Sequence, residues 1–142
     1  MLIAVIDGQG GGIGRTIVEK LKNADIDDIE VIALGTNSAA TGQMLKAGAD
    51  EGATGENAIV QNVAKADVIM GVVGTLVANS MMGELTPDMA RAIGESNALK
   101  LMLPLNRCNI HVVGLVERPI GKYIDMAIEY LREYIAGNTC DK

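Results

Sequence analysis

The chain has 142 residues and a formal net charge of −6, and 49% of its residues are hydrophobic. This length suits one compact domain with a sizeable core, which Ile, Val, Leu, Met and Ala must build because Phe and Trp are absent. The acidic balance argues against nucleic acid or an anionic membrane as partner, since both are bound through basic surfaces, but it is compatible with a small anionic ligand.

Short apolar runs alternate with amphipathic segments along the chain. The runs predict strands over residues 2–6, 30–34, 49–51, 68–73 and 99–103. The amphipathic segments predict helices over residues 12–22, 39–47, 56–65 and 123–135, with two shorter helical pieces between residues 74 and 95. This alternation is typical of a parallel sheet that helices cover on both faces.

Local signals place several helix ends. Gly48 suits a left-handed cap after the second helix. Thr54 is a possible N-cap for the third helix, which follows a second glycine-bearing loop. Thr86 supplies a capping hydroxyl, and Pro87 and Asp88 then suit the first turn of a helix, so a helix is expected to begin there.

The stretch after the fifth strand predicts a reversal of direction. A short loop, residues 104–109, separates strand 99–103 from the apolar run 110–116. A parallel crossover needs a dozen or more residues, so a sixth strand at 110–116 should be antiparallel and lie at an edge. The chirality and loop rules favour one doubly wound α/β domain over residues 1–142, with a mostly parallel sheet of order 3-2-1-4-5 and this antiparallel edge strand 6.

A dense glycine cluster follows the first strand. The loop comprises Gly8, Gln9, Gly10, Gly11, Gly12, Ile13 and Gly14. Glycine allows sharp turns and close approach of the backbone, and the unpaired N–H groups and dipole at the start of a helix favour an anion. The pattern therefore predicts a loop that holds the phosphates of a nucleotide. The alternative is that the glycines only let the first helix pack closely on the sheet.

The glycine spacing narrows the class of nucleotide loop. The strict Gly-x-Gly-x-x-Gly pattern fails because Ile13 would be its third glycine. Gly8-x-x-x-Gly12-Ile13-Gly14 is similar to the loop of short-chain dehydrogenases and reductases, and this resemblance implies a bound dinucleotide. Asp7 stands where that family usually has Thr, and the sequence has no Tyr-x-x-x-Lys pair, so the resemblance does not extend to catalysis. A P-loop fits less well, since Gln9 would be its leading glycine.

Further candidate ligand-binding residues follow the predicted carboxyl ends of strands, where doubly wound folds bind ligands. They are Thr36, Asn37, Gly74, Asn106 and Arg107. Thr36 and Asn37 could bind a ribose or cap the following helix, and Arg107 could pair with a phosphate or belong to a solvated hairpin turn. Because residues 35–38 contain neither an acid nor an arginine, NAD and NADP are both expected cofactors. FAD, a mononucleotide and coenzyme A stay open.

Catalytic and metal-binding residues are less well indicated. The candidates for catalysis are Asp7, Glu84 and Arg107, with Glu84 as a general base if it is buried and as an ordinary surface acid otherwise. Cys108 and His111 have a Cys-x-x-His spacing, but a structural zinc site needs further ligands. We therefore expect no metal.

Segments across most of the chain carry a wider resemblance. They are residues 7–14, 33–37, 52–60, 78–86 and 104–109. Through them the chain resembles a family of short, uncharacterised prokaryotic proteins with a Rossmann-like fold, and the resemblance implies a single-domain bacterial or archaeal cytoplasmic protein without implying an activity. The two cysteines are too few for a disulfide framework, and no apolar run reaches the ~18–20 residues of a membrane span, so a reduced cytoplasmic setting without membrane attachment is expected.

Three functions are compatible with these patterns. The first is a nucleotide-binding protein, of the NAD(P) dinucleotide type, whose reaction is unassigned. The second is a small NAD(P)-dependent oxidoreductase in which a homodimer supplies the missing wall of the site, so a homo-oligomer is expected. The third is a structural or regulatory subunit without a ligand.

Overall fold

Strands and helices alternate along the computed structural model, which describes residues 1–105 and 109–137. The strands are β1 (Leu2–Asp7), β2 (Glu30–Gly35), β3 (Glu51–Thr54), β4 (Val68–Val72) and β5 (Leu99–Leu103). The helices are α1 (Gly12–Lys22), α2 (Ser38–Lys46), α3 (Glu56–Val63), α4 (Pro87–Glu95) and α5 (Ile120–Ile135). Short 3-10 turns at Val73–Leu76 and Met81–Gly83 connect β4 to α4.

The five strands form one parallel sheet of order β3-β2-β1-β4-β5, which confirms the predicted order. The chain builds one half of the sheet outward from β1 through β2 to β3. It then returns to the other side of β1 for β4 and β5. The carboxyl ends of β1 and β4 therefore border the point where strand order reverses, and folds of this type bind ligands in the crevice at such a point.

Two apolar layers hold the helices against the sheet. Ile3 and Val5 of β1 belong to the core cluster that also contains residues of α1, α2 and α5. Ala4 and Ile6 belong to the opposite cluster, which contains residues of α3 and α4. Because side chains alternate along a strand, Asp7 falls on the same face as Ile3 and Val5, toward the start of α1.

Several predicted boundaries need correction. The third strand runs from Glu51 to Thr54 instead of over residues 49–51, because its short EGAT sequence has little apolar character to mark it. Thr54 is thus a strand residue paired with Gly35, and Gly55 is the N-cap of α3. The last helix begins at Ile120, before the predicted residue 123.

The predicted antiparallel edge strand at residues 110–116 is wrong, since this segment contains no strand. Gly114 has a φ of +83°, which interrupts an extended run in the middle of the predicted strand. Val113 and Val116 are 88% and 65% exposed, so two of the apolar residues that suggested an edge strand are largely in solvent. The segment is instead tied to α5, where the Tyr123 hydroxyl donates to the Val116 carbonyl at 2.8 Å and accepts from the Arg118 backbone N–H at 3.0 Å.

None of the helices in the described part of the chain is both long and apolar enough to cross a membrane.

Candidate functional site

A cavity of about 540 Å³ opens at the carboxyl ends of β1 and β4. Its size lies within the range of roughly 300–1,000 Å³ that is usual for small-molecule sites. It is lined by Asp7, Gly8, Gln9, Gly10, Gly11, Gly12, Ile13, Thr16, Val72, Gly74, Met81, Met82, Leu105 and Ile120. The structure thus brings most of the predicted glycine loop together with Gly74 and Asp7, at the crevice where the strand order reverses.

Three of the loop glycines are buried against neighbouring groups, and we call Gly8, Gly11 and Gly14 the packed glycines. A Cβ at Gly11 would lie 2.7 Å from the Cα of Ala40, and Gly11 also has a φ of +74°. A Cβ at Gly14 would lie 2.7 Å from the Cβ of Asp7. At Gly8 it would lie 2.6 Å from the Thr36 hydroxyl oxygen. Close packing therefore explains these three glycines.

Two loop glycines have no such explanation, and we call Gly10 and Gly12 the open glycines. A Cβ at either position would have no neighbouring heavy atom within 4 Å, and both residues are exposed. Both line the cavity. Neither has a positive φ, so neither conformation requires glycine. What the two positions share is clear space around the position that a Cβ would take.

The backbone N–H groups of the loop divide in a similar way. Those of Gly8 and Gly14 donate to Asp7, and that of Gly11 donates to the Gly8 carbonyl at 3.0 Å. Those of Gly10, Gly12 and Ile13 donate to no group of the described residues. Because Gly12 and Ile13 begin α1, their N–H groups are among those that a helix leaves without intrahelical partners.

Asp7 ties the end of β1 to the start of α1. Its side chain is buried, with 7% of the residue exposed. Oδ1 accepts a hydrogen bond from the Gly8 backbone N–H at 2.8 Å, and Oδ2 accepts one from the Gly14 N–H at 2.6 Å. A carboxylate is stabilising at a helix N-terminus, where the dipole favours negative charge. Asp7 therefore already fills the Gly14 donor position that a phosphate would otherwise use.

Glu84 lies on the β2 side of the loop, outside the cavity lining. Its Oε1 atom accepts a hydrogen bond from the Gln9 backbone N–H at 2.9 Å. The same oxygen accepts hydrogen bonds from the Thr36 hydroxyl at 2.8 Å and the Asn37 amide at 2.7 Å. These donors, with Gln9 first, then Asn37 and Thr36, lower the pKa of Glu84 below the usual glutamate value. A carboxylate held in this way is a weak base but a well-placed acceptor.

Thr36 and Asn37, the predicted ribose-binding residues, both contact Glu84. Asn37 Nδ2 also donates to the Gln9 carbonyl at 3.0 Å. Asn37 Oδ1 accepts from the Ala40 backbone N–H at 2.9 Å and so caps α2, which confirms the capping role that the sequence left open. This cluster of Glu84, Thr36 and Asn37 connects the glycine loop to the end of β2.

Sequence reasoning missed the apolar wall of the cavity. Val72 and Leu105 lie at the carboxyl ends of β4 and β5, so the strand-end rule could have found them. Met81 and Met82 carry no sequence signal, because their positions depend on left-handed backbone conformations with φ of 56° and 57°. Met82 is 96% exposed beside the cavity opening.

The remaining predicted residues are not among the described residues that line the cavity. Asn106, Arg107 and Cys108 lie outside the described residues. His111 is exposed in the segment between β5 and α5. Within residues 1–105 and 109–137, no three His, Cys, Asp or Glu side chains are grouped so that they could hold a metal ion.

Comparison with known proteins places the chain in a family. The chain belongs to the family described as "Domain of unknown function (DUF3842)", whose model matches residues 2–136. No curated protein matches it. Membership in an uncharacterised family agrees with the wider resemblance of the sequence. It identifies no ligand and gives no link to the short-chain dehydrogenases.

Proposed function

We propose that this protein binds a phosphate-bearing nucleotide, of the NAD(P) dinucleotide type, in the cavity at the ends of β1 and β4. The observation that carries this proposal is the open side of the glycine loop. There, Gly10 and Gly12 leave clear space, and the N–H groups of Gly10, Gly12 and Ile13 donate to no described residue. Unpaired N–H groups at the start of a helix are suited to bind phosphate oxygens.

The position of Asp7 determines where the phosphate would lie. Because the carboxylate of Asp7 accepts from the Gly14 N–H, a second anion at that donor would be repelled. The phosphate is therefore expected nearer to Gly10 and Gly12. Both carboxylate oxygens of Asp7 accept hydrogen bonds from backbone N–H groups, which disperses part of its negative charge.

The apolar part of the cavity lining suits an uncharged, planar part of the ligand. It is formed by the apolar side chains of Val72, Met81, Met82, Leu105 and Ile120. Small-molecule sites commonly combine such a wall with a few polar groups that fix orientation. A nucleotide has both parts, since its phosphates would bind the loop and a base or nicotinamide ring would contact the apolar wall.

The proposal is for binding, with the reaction unassigned. Among the described residues that line the cavity, Asp7 is the single ionisable side chain. Acid–base catalysis commonly uses a pair of titratable groups in different environments, and these residues offer no second group. The prediction that Arg107 faces the ligand stays a prediction.

A matched pair of glycine variants tests the proposal. Thermal unfolding of the purified protein is measured with NAD, NADP, FAD, ATP and coenzyme A, and gently denatured protein is analysed by mass spectrometry for a co-purified ligand. We expect stabilisation by a dinucleotide that Gly12→Leu abolishes, because Gly12 lines the cavity and begins the helix whose N–H groups would bind the phosphate. Gly94→Leu is the control, since Gly94 lies on α4 and also has open space around it. Stabilisation by none of these compounds and no co-purified ligand would refute the proposal, as would unchanged binding by Gly12→Leu.

A further inference from the structure

We infer that Glu84 supplies the ribose-binding carboxylate that β2 lacks, so that the site prefers a nucleotide with a free 2′-hydroxyl over one with a 2′-phosphate. This inference rests on the proposed nucleotide site and specifies which ligand that site selects. Glu84 lies on the β2 side of the glycine loop, and the N–H groups proposed to bind phosphate are those of Gly10, Gly12 and Ile13.

The position of Glu84 is the first observation. Dinucleotide-binding folds place an acid at the carboxyl end of β2, where it accepts hydrogen bonds from ribose hydroxyls. Here β2 ends at Gly35 and is followed by Thr36 and Asn37, neither of which is acidic. Both donate to the carboxylate of Glu84, which therefore lies at the end of β2 although it is 47 residues from Asn37 along the chain.

The second observation is that the carboxylate is held by one oxygen. Oε1 accepts from the glycine loop at Gln9 and from both residues that follow β2. Oε2 accepts no hydrogen bond from the described residues, and Glu84 is partly exposed. The arrangement fixes the orientation of the carboxylate and leaves one acceptor oxygen available to a hydroxyl donor.

The negative charge of the Glu84 carboxylate is the reason for the expected selectivity between a free 2′-hydroxyl and a 2′-phosphate. A ribose with free hydroxyls can donate to a carboxylate, whereas a 2′-phosphate would bring a second anion against it. Sites that accept a 2′-phosphate use an arginine nearby. Arg15, the arginine on α1, donates to Glu19 at 3.1 Å and to Gln43 at 3.5 Å, so part of its guanidinium is already engaged. The balance of charge in the cluster therefore favours NAD over NADP.

Calorimetric titration of the intact protein with NAD and with NADP tests the inference. We expect NAD to bind at least about tenfold more tightly, because the carboxylate of Glu84 would repel a 2′-phosphate. In Glu84→Gln the preference should fall to below about threefold, because the charge is removed while a carbonyl acceptor is kept. Glu95→Gln is the control, since it removes the same charge from an exposed position on α4.

Each outcome separates the inference from the function on which it rests. Equal binding of the two nucleotides, or an unchanged ratio in folded Glu84→Gln, overturns the role of Glu84 and leaves the nucleotide site standing. A preference for NADP that Arg15→Gln removes assigns the 2′-phosphate to Arg15 and also overturns it. Binding of neither nucleotide refutes the nucleotide site itself. If circular dichroism shows that Glu84→Gln does not fold, the wild-type ratio decides the question.

Discussion

The packed and the open glycines of the loop differ in what they contact. The packed glycines Gly8, Gly11 and Gly14 lie against groups that a Cβ would meet at 2.6–2.7 Å, although Gly8 and Gly11 also line the cavity. The open glycines Gly10 and Gly12, in contrast, have no neighbour within 4 Å of the added atom. Close packing thus explains only some of the glycines within these seven residues, and the number of glycines in the sequence does not show which ones.

This difference changes how the loop should be interpreted. The alternative that glycines only allow close packing of the first helix is sufficient for Gly11 and Gly14, which contact α2 and Asp7. It does not account for Gly10 and Gly12. Substitutions at the packed glycines should therefore affect folding, and substitutions at the open glycines should affect ligand binding.

Gly11→Ala should have the largest effect on stability. The new Cβ would lie 2.7 Å from the Ala40 backbone, and the residue would have to keep a φ of +74°. Left-handed strain and overpacking together suggest a loss of about 2–4 kcal/mol in the free energy of unfolding, measured by urea denaturation. Gly48→Ala is the control, because its φ of +110° gives strain while its nearest neighbour lies 3.4 Å away. Equal losses in the two variants would show that close packing at Gly11 is unimportant.

The second prediction concerns the acid dependence of stability. Because hydrogen bonds from Gln9, Asn37 and Thr36 lower the pKa of Glu84 in the folded protein, the ionised form stabilises the fold. This contribution is present above the pKa of the unfolded chain and is lost as the pH falls through the lowered folded value. Unfolding free energies of Glu84→Gln should therefore fall less between neutral and acidic pH than those of the wild type.

Asp50 provides the comparison for this measurement. Its pKa is also lowered, first by the hydrogen bond from Lys22 and then by that from the Val31 backbone N–H. Asp50→Asn should flatten the pH profile in the same direction, but it should not change nucleotide selectivity, because Asp50 contacts neither the loop nor the residues after β2. A wild-type acid profile in Glu84→Gln would contradict the proposed hydrogen-bonding role.

The sequence predicted the parts of the fold that depend on local patterns. The bounds of α1, residues 12–22, and of β5, residues 99–103, are confirmed because apolar periodicity marks both. The start of α4 at Pro87 is confirmed because Thr86 caps it. The strand predicted at residues 110–116 was wrong for a physical reason. Apolar composition does not show that Gly114 has a left-handed conformation.

The candidate site was predictable only where residues are close in sequence. The glycine loop and Gly74 follow strands, and the strand-end rule located them. The contacts of Glu84 join residues 47, 48 and 75 positions apart, so no local pattern could have placed it at the end of β2. The same applies to the division between packed and open glycines, because it depends on neighbours such as Ala40 that only the tertiary structure supplies.

The smallest expected effect on stability is a gain, whereas Gly11→Ala is expected to lower the free energy of unfolding. Gly12→Ala adds a methyl group in open space at the first residue of α1, where helical backbone suits alanine. Without ligand it should raise the free energy of unfolding by about 0.5–1 kcal/mol, because alanine restricts the unfolded chain more than glycine does. Gly94→Ala should stabilise the protein similarly. Only Gly12→Ala should weaken nucleotide binding, because Gly12 lines the cavity and Gly94 does not. The proposal requires that glycine at this position lowers stability and favours binding, so a Gly12→Ala variant that is stabilised and binds normally would remove the reason for assigning the open glycines to a ligand.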